Sequence, residues 1–408
     1  MIKLSNFPIK TMKSRPNISD NKSTGILLQA WFIRQVMAWV YTYTTLWLSV
    51  LRKIENIVRE EMNDYQAFET LMPALSPKEL WDKTGRWEAI DVMFHLPAAS
   101  NKEYWLNSTH EELVTPMMWE FLQSYKDLPM CVYQIQNKFR NEKRAKSGLL
   151  RWREFIMKDA YSFHSSDEDF VDYYEGMKKV YMRIFERLWL WEDTVIALAD
   201  WWTFTDKYSH EFQVKLDIWE DDIYICKNCN LWHNKEVVDE EKWFICDECW
   251  SKDFDLEKAS EIWNIFPLET KFSSAFNLKY LDENNKEQTP IMWCYGIWVS
   301  RAMWIVAEKF VWEKWISWPE NIAPADYYII VIWEDNLEKA SEIAKKLESE
   351  WKSVILDDRM WKKFGFGQKA WDCELFGIPN RIVVSPKTIE AGWYELTKRG
   401  EESKIINF

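Results

Sequence analysis

The feature that most constrains this chain is a shortage of glycine combined with an excess of tryptophan. The 408 residues include 28 Trp and only 10 Gly, whereas glycine averages roughly 7% of the residues in globular proteins. Glycine is the residue that adopts positive φ most readily and lets the backbone approach a ligand closely. This chain must therefore form many turns and binding loops with side chains that ordinarily hinder both.

Length and composition indicate a large globular protein. The chain is 47% hydrophobic and 29% charged, which is typical of folded proteins, and its length favours two or three domains. The net charge of −13 argues against general electrostatic adhesion to nucleic acid or anionic membranes. Any contact with nucleic acid must therefore use local basic patches.

One apolar stretch, residues 26–51, is long enough to imitate a membrane span. Three polar side chains, Gln29, Arg34 and Gln35, interrupt it, so we predict no membrane span and no membrane partner. The N-terminal residues lack the apolar core of a secretory signal. Cysteines in CxxC pairs also fit a reducing compartment, and we therefore expect a cytoplasmic protein.

Hydrophobic periodicity predicts the main elements. Apolar residues at helical spacing predict a helix from Thr45 to Asn63 and another from Asp167 to about Trp191. The segments VYQIQNKFRNE and RWREFIMKDAYSFH predict two neighbouring strands, joined by NEKRAKSGLL as a long hairpin. After SWPENIAP, strand and helix patterns alternate, which predicts a small α/β domain at the C-terminus.

Two CxxC pairs predict a metal site. Cys226 and Cys229 form the first pair, and Cys246 and Cys249 form the second after sixteen intervening residues. Four thiolates close a tetrahedral zinc site and leave no open position, so the predicted Zn²⁺ is structural. Four reduced cysteines without metal are the alternative, and we expect His233 on the surface rather than as a fifth ligand.

An arginine-rich hairpin is the other chemically suggestive segment. Arg140 and Glu142 precede its loop, and Arg151 and Phe155 follow it. A guanidinium fork suits a carboxylate and a phosphate, and an aromatic face suits a stacked purine. On these residues alone, a solvated basic hairpin is the simpler interpretation.

The order of several segments resembles the class II aminoacyl-tRNA synthetases in their prolyl-tRNA synthetase form. FRNE and LLRWREFIMKDAYSFH resemble motif 2, ETLMP with Pro73 resembles the end of motif 1, and MWCYGIWVSR resembles motif 3. Further segments follow in family order, namely STHEE, SHEF, EIWNIFPLETKFS, WPENIAP, LDDR and GIPNRIVV. The resemblance extends from about residue 24 to the C-terminus.

The resemblance implies an α/β fold with an α+β catalytic core. A class II antiparallel sheet with flanking helices is expected, together with a zinc-ribbon insertion and a C-terminal α/β anticodon-binding domain. The expected boundaries are 1–221 for the core with motifs 1 and 2, 222–252 for the ribbon, 253–320 for the core with motif 3, and 321–408 for the anticodon-binding domain. Motif 1 implies a homodimer.

The implied activity is ATP-dependent ligation of L-proline to tRNA(Pro) through prolyl-adenylate, with Mg²⁺ on the polyphosphate. Arg140, Glu142 and Arg301 are the implied catalytic residues. Arg140 would bridge the proline carboxylate and the α-phosphate, and the other implied ATP contacts are Glu142, Arg151, Phe155 and Arg301. The implied proline contacts are Thr109, Glu111, Arg140, His210, Phe212, Cys294 and Ser300.

Simpler interpretations stay open for some of these residues and for the whole chain. Thr109 could be a helix N-cap with Glu112 at N3, and His210 could be an ordinary hydrogen-bonded side chain. A non-catalytic tRNA-binding paralogue would retain the fold, but such paralogues usually lose the motif arginines, and Arg140 and Arg301 are both present. A class II synthetase for another amino acid fits STHEE and SHEF less well.

Two departures from the family pattern stand out. The interval between motifs 2 and 3 has no room for the editing domain that many bacterial prolyl enzymes carry. Tryptophan also stands where the family has glycine, at Trp31, Trp39, Trp47, Trp201, Trp202, Trp263, Trp293, Trp298, Trp371 and Trp393, whereas Trp81 and Trp318 stand where tryptophan is expected. Our hypothesis is a gene in which UGA encodes glycine, and the alternative is a divergent Trp-rich protein.

Overall fold

A computed structural model describes residues 1–7, 9–16, 21–38, 40–97, 102–141, 152–199, 209–216, 221–238, 244–246, 248–360 and 364–407. The helices are α1 Lys22–Gln29, α2 Thr45–Asp64, α3 Lys78–Thr84, α4 Glu111–Met117, α5 Asp167–Arg187, α6 Lys271–Ala275, α7 Val299–Lys309, α8 Leu337–Ser349, α9 Phe366–Phe376 and α10 Pro386–Glu390. The strands are β1 Ile2–Lys3, β2 Ile33–Met37, β3 Val40–Tyr43, β4 Phe68–Glu69, β5 Leu75–Pro77, β6 Phe94–Pro97, β7 Glu103–Leu106, β8 Met130–Phe139, β9 Glu154–His164, β10 Thr194–Ala199, β11 Ser209–Lys215, β12 Asp221–Cys226, β13 Trp232–Asn234, β14 Phe254–Glu269, β15 Tyr280–Leu281, β16 Glu287–Gln288, β17 Ile291–Ile297, β18 Tyr327–Val331, β19 Val354–Asp357, β20 Asn380–Val384, β21 Trp393–Lys398 and β22 Lys404–Asn407.

The chain divides into two compact units. One unit contains residues 55–302, and the other contains residues 1–54 together with 303–408. Strands β12 and β13, which carry the first part of the cysteine segment, pair within the large sheet of residues 55–302. The finer boundaries at 221, 252 and 320 stay predictions.

The unit of residues 55–302 contains a nine-stranded sheet in the order β11-β10-β13-β12-β14-β17-β9-β8-β4. Its pairings are antiparallel, except that β4 runs parallel to β8 and β10 runs parallel to β13. The two central strands β9 and β17 are buried along almost their whole length. The predicted antiparallel sheet of the catalytic core is therefore confirmed.

The two strands of the arginine hairpin are confirmed, with β8 and β9 in register from Met130 opposite Phe163 to Phe139 opposite Glu154. Their connecting loop lies outside the described residues. The predicted helix over 45–63 is α2, but α5 ends four residues before the predicted Trp191. The end is a capping turn in which Trp189 takes φ of 59° and Leu190 N–H donates to Phe185 O, a position that glycine normally fills.

The other unit contains a six-stranded sheet in the order β1-β19-β18-β20-β21-β22. The pairs among β1, β19, β18 and β20 are parallel, and helix α8 packs on β18 and β19. The predicted α/β alternation is confirmed here. Gly377 ends α9 with φ of 69°, and a Cβ at this position would lie 2.1 Å from Ile316 O, so the GIPN turn requires glycine.

The apolar stretch over residues 26–51 is broken into the end of α1, the β2–β3 hairpin and the first turns of α2. Gln29 donates a hydrogen bond to Met12 O, and Arg34 donates one to Leu28 O. Within the part of the chain that the structure describes, no helix has both the length and the apolarity that crossing a membrane requires.

Tryptophan is over-represented among the residues with positive φ. Ten described residues other than glycine have positive φ, and five of them are tryptophan. These are Trp31 at 64°, Trp189 at 59°, Trp250 at 64°, Trp333 at 70° and Trp351 at 61°. Because a bulky L-residue is a rare outlier in this region, the backbone at these positions has the shape that glycine prefers.

Candidate active site

The predicted proline contacts Thr109 and Glu111 meet at the start of α4. Thr109 Oγ1 donates a hydrogen bond to Glu111 Oε2. Glu111 is fully buried, and its other oxygen, Oε1, accepts no hydrogen bond from a nitrogen or oxygen donor of the described residues. The N-cap of α4 is His110, without a side-chain cap, so the interpretation of Thr109 as a helix cap is wrong.

A buried network of polar and charged side chains lies next to this turn. The Lys138 ammonium lies 2.7 Å from Asp159 Oδ1 and donates to His110 Nδ1 at 2.5 Å, while His110 Nε2 lies 3.0 Å from Pro73 O. Burial, together with the positive charge of Lys138, lowers the pKa of His110 to about 3. A neutral His110 with its proton on Nε2 therefore accepts from the lysine and donates to the carbonyl.

The same network fixes the backbone next to Glu111. His110 N–H donates to Tyr161 Oη at 3.0 Å, and that hydroxyl donates to Asp159 Oδ2 at 2.9 Å. No motif in the sequence indicated a role for Lys138, Asp159 or Tyr161. The available signal was a set of polar residues at inward-facing positions of two strands, which is unusual for a core.

Arg140 and Arg301 come from distant segments and converge near Phe155. Arg140 N–H closes the hairpin by donating to Arg153 O at 3.0 Å, and its guanidinium carbon lies 5.4 Å from the Phe155 ring centroid. Arg301 in α7 is buried, and its Nη1 donates to Glu261 O at 2.8 Å and lies 3.3 Å from Glu261 Oε2. The structure thus brings together three of the predicted ATP contacts.

An indole lies among these three residues. The Trp298 ring stacks on Phe155, with centroids 4.4 Å apart and planes 7° apart. The guanidinium carbons of Arg301 and Arg140 lie 3.7 Å and 4.7 Å from the centroid of the same indole. Trp298 therefore covers the face of Phe155 on which a purine held by both arginines would stack.

A second indole, that of Trp293, lies beside Tyr174, which in turn contacts His210. The Tyr174 hydroxyl lies 2.5 Å from His210 Nδ1, and burial, with a smaller effect from Lys178, lowers the pKa of His210 to about 4. Neutral His210 therefore accepts from Tyr174. The Trp293 ring stacks on Phe170 at 4.3 Å and lies 5.0 Å from the Tyr174 ring.

Cys294, on β17, lies opposite Tyr161 on β9 and Phe266 on β14. Burial is the main reason that the pKa of its thiol is raised well above the usual value, and the nearby Glu111 carboxylate adds to the shift. The thiol is therefore neutral at physiological pH. Its proximity to Glu111 brings a third predicted proline contact to the start of α4.

The structure places the remaining predicted proline contacts differently. Phe212 is fully buried in an aromatic core, with its ring centroid 5.4 Å from Tyr181 and 5.8 Å from both Phe185 and Trp263. Ser300 Oγ accepts from Ile156 N–H at 2.8 Å, which ties the start of α7 to β9. Two of the predicted ATP contacts, Glu142 and Arg151, lie outside the described residues.

The four cysteines converge as a candidate metal centre. Their sulfur atoms all lie within 4.8 Å of one another, and the Cys226–Cys249 and Cys229–Cys246 pairs are 3.3 Å and 3.4 Å apart. Tetrahedral zinc with Zn–S bonds of about 2.3 Å separates its sulfurs by roughly 3.8 Å, so the donor set fits Zn²⁺. The expectation of a surface His233 is wrong, because β12–β13 pairing places it at 1% exposure against Phe244.

Comparison with known proteins gives consistent matches. Residues 94–310 match the family described as tRNA synthetase class II core domain (G, H, P, S and T). The proline–tRNA ligase of Ehrlichia ruminantium (strain Gardel) is 34% identical over 422 positions, covering 99% of this chain and 97% of that protein. The proline–tRNA ligase of Sulfurihydrogenibium sp. (strain YO3AOP1) is 30% identical over 551 positions, covering 98% of this chain and 97% of that protein.

Solved structures share the fold. Prolyl-tRNA synthetase from Giardia lamblia in complex with prolyl-adenylate superposes with a TM-score of 0.74 at 22% identity, covering 94% of this chain and 73% of that one. The enzyme from Cryptosporidium parvum, complexed with halofuginone and AMPPNP, gives a TM-score of 0.73 at 16% identity, covering 94% and 74%.

Proposed function

Because the chain belongs to the proline–tRNA ligase family of class II aminoacyl-tRNA synthetases, we propose that it ligates L-proline to tRNA(Pro) in an ATP-dependent reaction through prolyl-adenylate. The observation that carries this proposal is the convergence of Arg140 and Arg301 on the stacked rings of Phe155 and Trp298. Two fixed cations next to an aromatic face form a site for a purine nucleotide whose α-phosphate is under attack.

In the first step, the proline carboxylate attacks the α-phosphate and pyrophosphate leaves in line. Arg140 holds the carboxylate and an α-phosphate oxygen, so it stabilises the negative charge of the transition state and aligns the two reactants. Phe155 stacks the adenine, and Arg301 holds the departing phosphates. The hydrogen bonds from Arg301 to Glu261 keep its guanidinium in place before ATP arrives.

Proline recognition depends on the turn before α4. The protonated imino group of proline has two N–H donors, and the Thr109 hydroxyl and the Glu111 carboxylate are the matching acceptors. Glu111 Oε1 is buried without a nitrogen or oxygen donor, so it lacks the partner that an imino group would supply. Cys294 and His210 line the ring of the substrate, whereas Phe212 and Ser300 act by shaping the surrounding core.

Two metal ions belong to this proposal. Structural Zn²⁺ is held by Cys226, Cys229, Cys246 and Cys249, and it closes the ribbon at the end of β12. Mg²⁺ offsets the charge of the ATP phosphates when it is bound. The Glu261 carboxylate, next to Arg301, supplies the type of oxygen ligand that Mg²⁺ prefers.

The proposed function also implies a cellular location, an oligomeric state and a contact with tRNA. We expect a cytoplasmic homodimer that forms through the segment around Pro73, and an anticodon contact from residues 321–408. Light scattering of the purified protein would test the dimer. Binding of tRNA(Pro) transcripts with altered anticodons would test the role of the C-terminal residues.

We also propose that the enzyme lacks an editing domain of its own. The match to the Sulfurihydrogenibium protein extends over 551 positions, more than the 408 residues of this chain, whereas the Ehrlichia match needs only 422. The longer relative therefore has a segment without a counterpart here. We expect alanine activation to be detectable, because each methylene that alanine lacks gives the pocket a selectivity for proline of only about 10- to 200-fold. Efficient release of alanine from Ala-tRNA(Pro) would refute the proposal.

Finally, we propose that most of the family-position tryptophans are glycine in the native protein. Positive φ at Trp31, Trp189, Trp250, Trp333 and Trp351 supports this proposal, as does the indole of Trp298 on the Phe155 face. Only Trp31 of these five was among the positions chosen from the sequence. The backbone torsions therefore add four tryptophans to that set by a criterion that does not use the family pattern. UGA codons at these positions in the gene would support the proposal, and UGG codons would refute it.

Proline-dependent ATP–pyrophosphate exchange, measured with each of the standard amino acids in turn, tests the function. We expect exchange with proline, weaker exchange with alanine, and transfer of proline to tRNA(Pro). Binding of tRNA(Pro) without any exchange would instead indicate a non-catalytic paralogue. Exchange with a different amino acid would indicate another class II synthetase.

A further inference from the structure

We propose that Arg86 is a positioning residue for proline recognition, which orients Glu111 and supplies the positive charge that balances the adjacent buried carboxylates of Glu111 and Glu112. The inference rests on the proposed function and adds a residue outside every segment that carried the family resemblance. Arg86 follows Gly85, which ends α3 with φ of 70°.

Arg86 is buried between two carboxylates. Its Nη1 lies 3.3 Å from Glu111 Oε2 and 3.0 Å and 3.1 Å from the two oxygens of Glu112. Arg86 is 3% exposed, and both glutamates are fully buried. The guanidinium carbon also lies 5.2 Å from the Phe272 ring centroid, which restricts the side chain further.

Glu112 has its hydrogen-bond partners within the fold. Its Oε1 accepts from Thr84 Oγ1 at 2.8 Å as well as from Arg86, so its charge is used within the fold. Glu111, in contrast, shares Oε2 between Thr109 and Arg86 and leaves Oε1 for the imino group. Arg86 thus contacts both a structural carboxylate, that of Glu112, and the proposed substrate-binding carboxylate of Glu111.

Without Arg86, two adjacent carboxylates would remain in a buried site. Two such groups cannot both ionise readily, so they would share a proton. Burial already raises the pKa of Glu112, with Arg86 opposing the shift. The other charged or titratable groups that face Glu111 are Lys138, Tyr161 and Cys294, and the Lys138 charge is already paired with Asp159.

The experiment compares proline activation in Arg86→Met, Arg86→Lys, Glu112→Gln and the double variant Arg86→Met/Glu112→Gln. All are made in one parent, with tryptophan or glycine at position 298 according to which form activates proline. The measured quantities are KM for proline, KM for ATP, and the pH profile of kcat/KM for proline. Thermal unfolding of each variant monitors folding.

We expect Arg86→Met to raise KM for proline about 100-fold, because two adjacent buried carboxylates without a cation would share a proton, with KM for ATP changed by less than about 3-fold. Its kcat/KM for proline should recover as pH rises, because both carboxylates then ionise. The double variant, which has one carboxylate and no cation, should return to within about 10-fold of the parent. Arg86→Lys and Glu112→Gln should each stay within about 10-fold.

Several results would overturn the inference. Equal increases in KM for proline and ATP would indicate a general structural role, as would a double variant that is no better than Arg86→Met. If Arg86→Met does not fold, the double variant and Arg86→Lys still separate charge balance from packing. A parent that shows no proline-dependent exchange would remove the proposed function, and this inference with it.

Discussion

The indole of Trp298 lies flat on the ring of Phe155, with centroids 4.4 Å apart and planes 7° apart. Arg301 lies 3.7 Å from the centroid of the same indole. In the proposed function, adenine stacks on the Phe155 ring. The Trp298 indole occupies a face of that ring.

The first prediction follows from this contact. The chain with tryptophan at 201, 202, 293 and 298 should bind ATP poorly and show little pyrophosphate exchange. Glycine at these four positions and at the other family glycine positions should allow proline-dependent exchange, because it removes the indole from the Phe155 face. The two proteins are expressed side by side and assayed for exchange and for ATP binding.

Trp81 provides a matched control for that comparison. It is a position where the family resemblance predicts tryptophan, it is fully buried, and its Nε1 donates to Ser76 Oγ at 2.7 Å. Trp81→Gly should lower stability by several kcal/mol without any gain in exchange. Equal exchange activity of the tryptophan-containing chain and the glycine-substituted chain would contradict the first prediction.

The second prediction concerns the backbone at Trp351. This residue has φ of 61° and is 96% exposed, so its side chain contributes little burial while its backbone is strained. Trp351→Gly should therefore raise the free energy of unfolding by about 1 kcal/mol. Trp191, which is 52% exposed and lies in a 3-10 helix without positive φ, is the control, and Trp191→Gly should not stabilise.

How much of this molecule the sequence could predict depends on how local the signals are. Helix α2 and strands β8 and β9 were predictable because their apolar spacing is continuous along the chain. The Lys138–Asp159 pair was not, because it depends on the register of β8 against β9 and on burial of both charges. Register and burial are set by the whole sheet rather than by either strand.

The candidate site shows the same division. Arg140, Phe155 and Arg301 were found through motif order, and the structure brings them together. Arg86 carries no motif, and it meets Glu111 only because α3 and α4 pack against each other. A residue that acts through another residue has no short sequence signal.

The third prediction tests motif 2. Arg140→Ala should lower kcat/KM for exchange by at least about 10³-fold, because the guanidinium stabilises charge that develops only in the transition state. The melting temperature should change little, since Arg140 is only half-buried. The control is Arg59→Ala, which removes ion pairs with Glu55 and Glu69 and should retain exchange.

The fourth prediction concerns acid stability. Burial and Lys138 lower the pKa of His110 from 6.5 to about 3, so the unfolded chain binds a proton that the folded chain does not. The stability that His110 contributes is therefore complete above pH 6.5 and is lost as pH falls toward 3. Between these two pH values, His110 contributes about 1.4 kcal/mol per pH unit to the slope of the unfolding free energy against pH.

His110→Asn provides the measurement. Urea unfolding of the parent and of this variant between pH 4 and pH 7 should give a shallower loss of stability with acid for the variant, even if its stability at pH 7 is lower. Parallel curves for the two proteins would mean that His110 is not buried in its neutral form.

The fifth prediction concerns the zinc centre. We expect one zinc ion per chain by elemental analysis, and its loss in Cys226→Ser, because three thiolates bind zinc less tightly than four. Removal of the ion should increase amide hydrogen exchange in β12 and β13, since Cys226 ends β12 and a bound metal would link it to the second cysteine pair. Cys373→Ser, at a buried cysteine in α9, should keep the zinc. A purified parent protein without zinc, or normal zinc content in Cys226→Ser, would show that the four sulfurs form no metal site.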